Sequence, residues 1–306
     1  MSLKPLVKPF LDKESNTYTY LVSCPESKAS VIIDSVLDFD LPSATTSTSS
    51  CDALLNHVQE HALDVLFITH HQVKYIVDTH SHADHLSGSA YLKSRIPGAT
   101  NGISQFVTKT QAAFKDILGL DFPHDGYANT KLMIRSQFDH LLKEGDSLPF
   151  GKLNLSVLYT PGHTIDSCAY VIGDAVFVGD TLFKEDSGTA RCDFPNGDAH
   201  LLWDSIHKIL SLPSDTRVFL CHDYGAGGKR DLECETTVQD QLVSNIHVKK
   251  GTEKETYVKM RDERDAKLSL PRLLLPSIQF NIQGGLNVKY LKLVLNQADK
   301  YSRNYQ

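Results

Sequence analysis

The sequence predicts a layered α/β fold in which polar side chains gather at one edge of the sheets. Apolar stretches typical of strands alternate along the chain with stretches that have helical spacing. Several of the strand-like stretches end within a few residues of a His or an Asp. Side chains from separate strand ends can meet only on a shared edge of a sheet assembly, so we expect these residues to form one metal site.

The densest group of candidate ligands is residues 79–85, which read Thr-His-Ser-His-Ala-Asp-His. The apolar run 73–77 before them is typical of a strand, and we expect a helix to begin near Leu86 after them. His80 and His82 have the same parity, so an extended backbone directs both imidazoles to one side. A metal needs several ligands that converge from a rigid base, and this segment fits that need better than a polar loop would.

Three further strand ends supply candidate ligands from elsewhere in the chain. They are His163 in Thr-Pro-Gly-His-Thr after the alternating residues 153–157, Asp180 after the apolar run 175–178, and His222 after the run 218–221. Each is a polar residue at the point where a β-rich stretch stops. The site is therefore expected to draw on four strand ends.

The sequence also predicts the strands, helices and loops that surround this edge of the sheets. We expect the first strand near residues 18–22 and a solvated polar insertion over 41–50. A helix should follow from about Asp52, and another should run over 198–210, with Asp198 as its N-cap. No internal repeats are found.

Four other histidines lie apart from the candidate ligands. His57 and His61 are four residues apart, a spacing that can bind metal, but far from the other ligands we interpret them as surface histidines. His70 and His71 precede the ligand strand and are left unassigned.

Composition narrows the class of protein. The chain has 306 residues, 41% of them hydrophobic and 22% charged, which is ordinary for a globular protein with a sizeable core. The net charge of -6 and the absence of a basic cluster argue against a nucleic-acid surface. No apolar run approaches the length of a membrane span, so no membrane partner is expected. We expect one large catalytic domain, residues 1–230, and a C-terminal helical extension, residues 231–306, that packs on it.

The cysteines and the first residues bear on the compartment. The six cysteines show no Cys-x-x-Cys spacing and are expected to be free thiols in a reducing compartment. The start of the sequence shows no apolar signal core, and the first arginine is Arg95, so no Arg-rich transit segment is evident. We expect the protein in the cytoplasm, with mitochondria as the alternative.

Taken together, these motifs resemble the metallo-β-lactamase superfamily. The series His-x-His-x-Asp-His, Pro-Gly-His-Thr, Gly-Asp and a late His spans residues 79–222 in the order that this superfamily uses. The resemblance implies an αββα sandwich, in which two mixed sheets pack face to face with helices outside. This fold hosts hydrolases, nucleases, flavoproteins and dioxygenases, so it does not settle the function.

A second set of residues resembles the persulfide dioxygenase family within that superfamily. Residues 188–194 read Gly-Thr-Ala-Arg-Cys-Asp-Phe, which fits the Gly-x-x-Arg-x-Asp-Phe element that these enzymes carry after the metal-binding Asp. Residues 257–268 and 270–279 resemble the bacterial branch of the family, whose members are often described as β-lactamase-like hydrolases. The resemblance covers nearly the whole chain.

The dioxygenase resemblance implies one Fe(II) per chain, held by the catalytic residues His80, His163 and Asp180. A set of two His and one carboxylate leaves open positions for a persulfide sulfur and O2 together. The implied reaction converts glutathione persulfide, O2 and water into sulfite and glutathione. Family members often pair, so a homodimer is also compatible with the resemblance.

A complete second ligand set keeps another interpretation open. His82, Asp84, His85 and His222 could bind a second metal or support the first, and with two zinc ions the site would resemble glyoxalase II. That enzyme also takes a glutathione derivative, whose thioester a metal-bound hydroxide attacks. The 188–194 element and the C-terminal residues favour the dioxygenase.

The resemblance also directs attention to residues that could hold the substrate. Arg191 could bind a glutathione carboxylate through two parallel hydrogen bonds, or it could form an ion pair with Asp193 or Asp198. Tyr224 could donate a hydrogen bond from the rim of the pocket or serve only in packing. Arg230 is a candidate for the second carboxylate, whereas Cys192 receives no role.

Overall fold

The computed structural model describes residues 3–63, 72–118 and 137–285 and contains two six-stranded sheets. In spatial order, the strands of the first sheet are β1 (Leu6–Asp12), β2 (Thr17–Ser23), β3 (Ser30–Ile33), β6 (Val73–Val77), β8 (Thr100–Ser104) and β9 (His140–Leu142). Those of the second sheet are β10 (Ser147–Phe150), β11 (Leu153–Tyr159), β12 (Cys168–Ile172), β13 (Ala175–Phe177), β14 (Arg217–Phe219) and β15 (Glu235–Thr237). A small third sheet has the order β5 (Thr45–Ser47), β4 (Val36–Asp40) and β7 (Leu86–Ser87).

Helices lie between and after these strands. They are α1 (Ser49–Leu63), α2 (Ser89–Arg95), α3 (Val107–Leu118), α4 (Ala199–Leu210), α5 (Val238–Ser244), α6 (Lys254–Asp265) and α7 (Leu274–Asn281), with single helical turns at Gly179–Thr181 and Gly225–Gly228. Among the residues that the structure describes, none of these helices combines the length and the apolar character needed to cross a bilayer.

The core is divided into layers. Between the two large sheets, Tyr20 of β2 packs edge-on against Phe177 of β13 within a cluster that both sheets supply. The outer face of the first sheet carries α1 and α2, and the outer face of the second carries α4 and α6. Helices therefore cover both outer faces of a two-sheet sandwich, which confirms the predicted αββα fold. Both sheets are mixed: the first has two antiparallel and three parallel pairs, and the second has four antiparallel pairs and one parallel pair.

The structure corrects three sequence-based boundaries. The first strand is β1, whereas the sequence analysis placed it near residues 18–22, which lie in the second strand. The 41–50 segment is mostly exposed as expected, but it contains β5 and the start of α1. The helix expected near Leu86 begins only at Ser89, because residues 86–87 first pair with β4.

Other expectations hold. The helix expected over 198–210 is α4, and the Asp198 side chain accepts a hydrogen bond from the Leu201 amide as its N-cap. All six cysteines are free thiols. His57, which the sequence analysis interpreted as a surface histidine, is instead half-buried, and its ring packs edge-on against Phe10. The side chain of His61, together with His70 and His71, lies outside the described residues.

The predicted domain division at residue 230 stays a prediction. β15 continues the second sheet beyond that point by pairing with β14. Helices α5 and α6 pack on the second sheet, since Val238 of α5 and Tyr257 and Val258 of α6 belong to the cluster that covers it. The described part of the extension, residues 231–285, thus shares a core with the sandwich.

Candidate metal centre

The four predicted strand ends converge at one edge of the sandwich. β6 ends just before the 79–85 segment, and the strands β11, β13 and β14 end before the other candidate ligands. The two sheets are joined at this edge, because the Cys168 amide donates to the Thr79 carbonyl and the Tyr18 amide donates to the Cys221 carbonyl, each at 2.8 Å. The ligands therefore stand on backbone that hydrogen bonds hold in place.

The residues predicted to hold iron lie together. One ligand atom from each of His80, His163 and Asp180 lies within 4.8 Å of the other two. His163 Nε2 is 3.6 Å from Asp180 Oδ2, and the ring centres of His80 and His163 are 5.1 Å apart. This spacing suits three ligands around one ion.

The second predicted set lies directly beside the first. His82, Asp84 and His85 also bring one ligand atom each within 4.8 Å of one another. His222 Nε2 lies 3.3 Å from Asp84 Oδ2 and 3.3 Å from Asp180 Oδ1, so it connects the two sets. All seven predicted ligands thus belong to one centre.

Hydrogen bonds on the far side of each imidazole orient the rings. The backbone carbonyls of Arg191, Leu86 and Asn16 accept from Nδ1 of His163, His85 and His222, at 2.7, 3.1 and 3.1 Å. In each of these rings the Nε2 atom is then the one left for a metal. Such bonds fix the tautomer and the ring orientation of metal-binding histidines.

Sequence analysis missed Asp34, which orients the two remaining rings. Its Oδ1 lies 3.0 Å from His82 Nε2, and its Oδ2 accepts from Thr79 Oγ1, which in turn lies 3.0 Å from His80 Nδ1. Asp34 directly follows the apolar strand β3. The rule that found the other ligands, a polar residue after a strand, would have found this one too.

The buried donor atoms fit a bound metal. Within the described part of the chain, the ligand atoms that have no hydrogen-bond partner include Nε2 of His80, Nδ1 of His82, Nε2 of His85 and Oδ1 of Asp180. Leaving buried polar atoms without partners is costly, and a bound metal would give these donor atoms a partner. Nitrogen and carboxylate donors suit Fe(II) and Zn(II) alike.

Burial and charge set the protonation of the centre. Burial lowers the pKa of His80 and His82, which keeps both imidazoles neutral, as metal ligands must be. Burial opposes protonation of His222, but the carboxylates of Asp180 and Asp84 outweigh it and raise its pKa. Burial raises the pKa of Asp180 above its usual value, because it disfavours the charged carboxylate. A metal ion bound beside Asp180 would stabilise the negative charge of this carboxylate.

A cavity of about 590 Å³ opens over the centre, and we call it the main cavity. His163, Asp180, Asp84 and His222 contribute to its floor. Its walls carry both apolar and charged side chains, which include Phe183, Phe194, Ile246, Leu268, Arg191, Arg261 and Arg264. Its volume is in the range of small-molecule sites.

The predicted substrate residues occupy different positions around this cavity. Arg191 lines it, but its Nε and Nη2 donate to the two carboxylate oxygens of Asp193 at 2.5 Å, the ion pair that the sequence left as an alternative. Tyr224 lines it and is 48% exposed, and its ring stacks on His222. Arg230 is paired with Asp186, which lines the cavity, and with Asp223. Their contacts to a substrate stay predictions.

A second, smaller opening reaches the centre from another side. This acidic cleft of about 290 Å³ has Asp84 and His85 among its lining residues, together with the carboxylates of Asp12, Glu14, Asp38 and Asp40. Segment 268–273 borders both openings, since Leu268 and Pro271 line the main cavity and Leu273 lines the cleft.

Comparison with known proteins identifies the family. The model of the metallo-beta-lactamase superfamily matches residues 13–222, which include every predicted metal ligand. The chain therefore belongs to the metallo-beta-lactamase superfamily.

Individual relatives refine that placement. Glyoxylase B2 of Dictyostelium discoideum is 41% identical over 97% of this chain and 99% of its own length. The mitochondrial persulfide dioxygenase ETHE1 of Bos taurus is 31% identical over 87% of this chain and 83% of its own length. The crystal structure of ETHE1 from Myxococcus xanthus superposes with a TM-score of 0.67 at 29% identity, over 92% of this chain and 99% of that one.

One similar relative is longer than this chain. The beta-lactamase hydrolase-like protein of Xylella fastidiosa strain Temecula1 is 42% identical over 96% of this chain, but the chain spans only 66% of that protein's length. The similarity to persulfide dioxygenases and to hydrolase-like proteins together confirms the family resemblance that the sequence motifs gave.

Proposed function

We propose that the protein is an iron-dependent persulfide dioxygenase, which oxidises glutathione persulfide with O2 and water to sulfite and glutathione. The observation that carries the proposal is the set of two buried imidazoles, His80 and His163, and the partly buried carboxylate of Asp180, on a chain similar to persulfide dioxygenases over most of its length. The cytoplasm is the proposed location, with mitochondria, where the Bos taurus relative is named as residing, as the alternative.

His80, His163 and Asp180 would hold the iron, which when bound would activate O2 toward the persulfide. The electrons that reduce O2 would come from the outer sulfur of the persulfide, which is oxidised to sulfite. Two neutral imidazoles and one carboxylate leave positions for both reactants. The other residues of the site would bind the substrate, orient it toward the metal and prevent competing reactions.

The surroundings of His163 support that division of work. Its Nδ1 donates to the Arg191 carbonyl, so the 188–194 loop sets the orientation of this ring. The Phe194 ring packs edge-on against His163 at 5.1 Å and lines the main cavity, which places an apolar surface beside the reacting end of a ligand. Arg191 and Tyr224 are the proposed substrate contacts further out, and Arg230 is the proposed contact for the second carboxylate.

A second candidate function is hydrolysis of a glutathione thioester at a two-zinc site. It is favoured by the intact set His82, Asp84, His85 and His222 and by the similarity to Glyoxylase B2. The same cavity would receive the glutathione part of either substrate.

Metal analysis and oxygen uptake test the two candidates together. Protein purified without added metal should contain about one iron per chain and little zinc, and it should consume O2 with glutathione persulfide. Two zinc ions per chain, with thioester hydrolysis and no oxygen uptake, would establish the hydrolase instead.

A further inference from the structure

Three arginines line the main cavity, and two of them are engaged by the protein itself. Arg191 is bound by the Asp193 carboxylate, and its Nη1 donates to the Ser269 carbonyl at 2.8 Å. Arg261, only 3% exposed, donates to the Thr189 carbonyl at 3.0 Å and pairs with Asp265 at 2.6 Å. The positive charge of each is therefore largely compensated.

The third arginine, Arg264, differs in both respects. It lies in the last turn of α6, one turn beyond Arg261, so the two share a face of the helix. Arg264 is exposed, and no carboxylate among the described residues pairs with its guanidinium group. Because the buried Arg261 ties α6 to the 188–194 loop, the helix turn that carries Arg264 is held at the rim of the cavity.

We infer that Arg264 binds a carboxylate of the substrate at the rim of the main cavity. This inference rests on the proposed function, because it takes the ligand to be a low-molecular-weight thiol persulfide that carries carboxylates. The ligand class is an anion whose reactive sulfur lies at one end and whose carboxylate lies at the other.

The layout of the cavity supports this assignment. The metal ligands His163 and Asp180 are at its buried floor, whereas Arg264 stands at its exposed rim. A ligand with its sulfur at the floor would extend its distant charged group toward solvent. A carboxylate that pairs with Arg264 need not displace an existing partner, whereas at Arg191 it must compete with Asp193.

The chemistry of the guanidinium fits the same role. Its planar fork can donate two parallel hydrogen bonds to one carboxylate, which an ammonium cannot do. At an exposed rim such a contact is weakened by salt, so its contribution should fall as ionic strength rises. It is also made equally before and during the reaction, so it should act on KM rather than on kcat.

Calorimetric titration of the purified, metal-containing protein with glutathione tests the inference. Arg264→Ala should raise the Kd roughly ten-fold, as expected for the loss of one charge-assisted contact. Arg264→Lys should recover part of that loss. Lys259→Ala is the matched control, because Lys259 is a 79% exposed cation on the same helix, and it should bind glutathione like the wild type.

Glutathione with both carboxylates esterified provides the second arm. The wild type and Arg264→Ala should bind the diester equally, and oxygen uptake with glutathione persulfide should show a raised KM with kcat nearly unchanged in Arg264→Ala. Equal glutathione affinity in the wild type and Arg264→Ala, or an equal loss with the diester, would overturn the assignment. If no persulfide supports oxygen uptake but glutathione binding still depends on Arg264, the dioxygenase proposal fails and this inference stands.

Discussion

The main cavity and the acidic cleft reach the same metal centre but differ in charge. The main cavity carries Arg191, Arg261 and Arg264 on its walls, whereas the cleft is lined by the carboxylates of Asp12, Glu14, Asp38 and Asp40. Asp84 lies at both. Because Arg191 and Arg261 are paired with carboxylates, Arg264 is the cation among the described lining residues of the main cavity that would attract the proposed anionic substrate. The carboxylates of the cleft would repel that substrate, so charge would favour its approach through the main cavity.

The two sides of the centre also differ in their ligands. The three residues proposed to hold iron include His163 and Asp180, which line the main cavity, whereas His85 lines the cleft. Asp84 stands between the two openings. His222 of the second set also lines the main cavity, so the two openings divide the two sets of ligands only in part.

The largest effects are expected at the metal ligands. His163→Ala and Asp180→Ala should each abolish iron binding and turnover, because each removes one of three protein ligands. Asp84→Ala should keep its iron and lose part of its activity, through disturbance of the neighbouring imidazoles. Iron content and oxygen uptake measured on the same preparations check this. If Asp84→Ala loses its metal as completely as Asp180→Ala, the mononuclear assignment is wrong.

A smaller but clear effect is expected at Arg191. Arg191→Ala should raise KM roughly ten-fold if a contact to a substrate carboxylate is lost, with iron content unchanged. It should also lower the melting temperature, because Asp193 and the Ser269 carbonyl lose their partner. Arg191→Lys should restore KM only in part.

Steady-state kinetics and thermal melting separate the two roles of Arg191. A variant that melts lower but keeps the wild-type KM would show that the side chain serves only the ion pair with Asp193. The substrate role would then pass to the other cationic groups of the main cavity.

The acidic cleft should influence the substrate only at long range. Asp40 is exposed and is hydrogen-bonded by Ser43, and these bonds lower its pKa, so it is charged at neutral pH. Asp40→Asn should lower KM for glutathione persulfide by less than about two-fold, and the change should vanish at high salt. A large decrease in KM that persists in salt would mean that the substrate approaches through the cleft, which would reverse the comparison.

The smallest effect concerns a histidine behind the main cavity. His247 accepts a hydrogen bond from the Thr189 amide at 3.0 Å, and burial lowers its pKa from 6.5 to about 4. Between pH 6.5 and pH 4 the histidine is protonated in the unfolded chain but stays neutral in the folded chain. The free energy of unfolding therefore falls as the pH falls through this range.

Replacing His247 should therefore flatten the pH dependence of unfolding. Relative to wild type, His247→Asn should reduce the slope of unfolding free energy in this window by at most about 1.4 kcal/mol per pH unit. Denaturant unfolding of both proteins at several pH values measures the difference. Parallel curves for wild type and variant would show that His247 does not titrate on unfolding.

The strand ends that carry the ligands could be predicted from the sequence, because each ligand lies within a few residues of its strand. Each of the four segments pairs an apolar run with a His or an Asp, so the ligands and the layered fold could be predicted together. The N-cap of α4 could be predicted for the same reason, because the Asp198 side chain accepts its hydrogen bond from Leu201, three residues later. These features depend on neighbours in the chain.

The strand and helix boundaries that sequence analysis misplaced depend on contacts between residues that are far apart in the chain. β1 was missed because it contains Pro9 and lies at the edge of its sheet, where burial imposes little pattern. The start of α2 was misplaced because residues 86–87 pair with β4, some fifty positions earlier in the chain. Neither pairing has a signature within the segment itself.

The state of charge around the site was likewise decided by the tertiary structure. The carboxylate partners of Arg191 and Arg261 are near them in the sequence, at Asp193 and Asp265. Only the tertiary structure brings these two arginines and Arg264 to one cavity, with Arg264 at its exposed rim. Residue types at the strand ends determined which chemistry this protein can support. Which cations line the cavity over the metal centre was decided only by folding, because that depends on how α6 and the 188–194 loop pack in space.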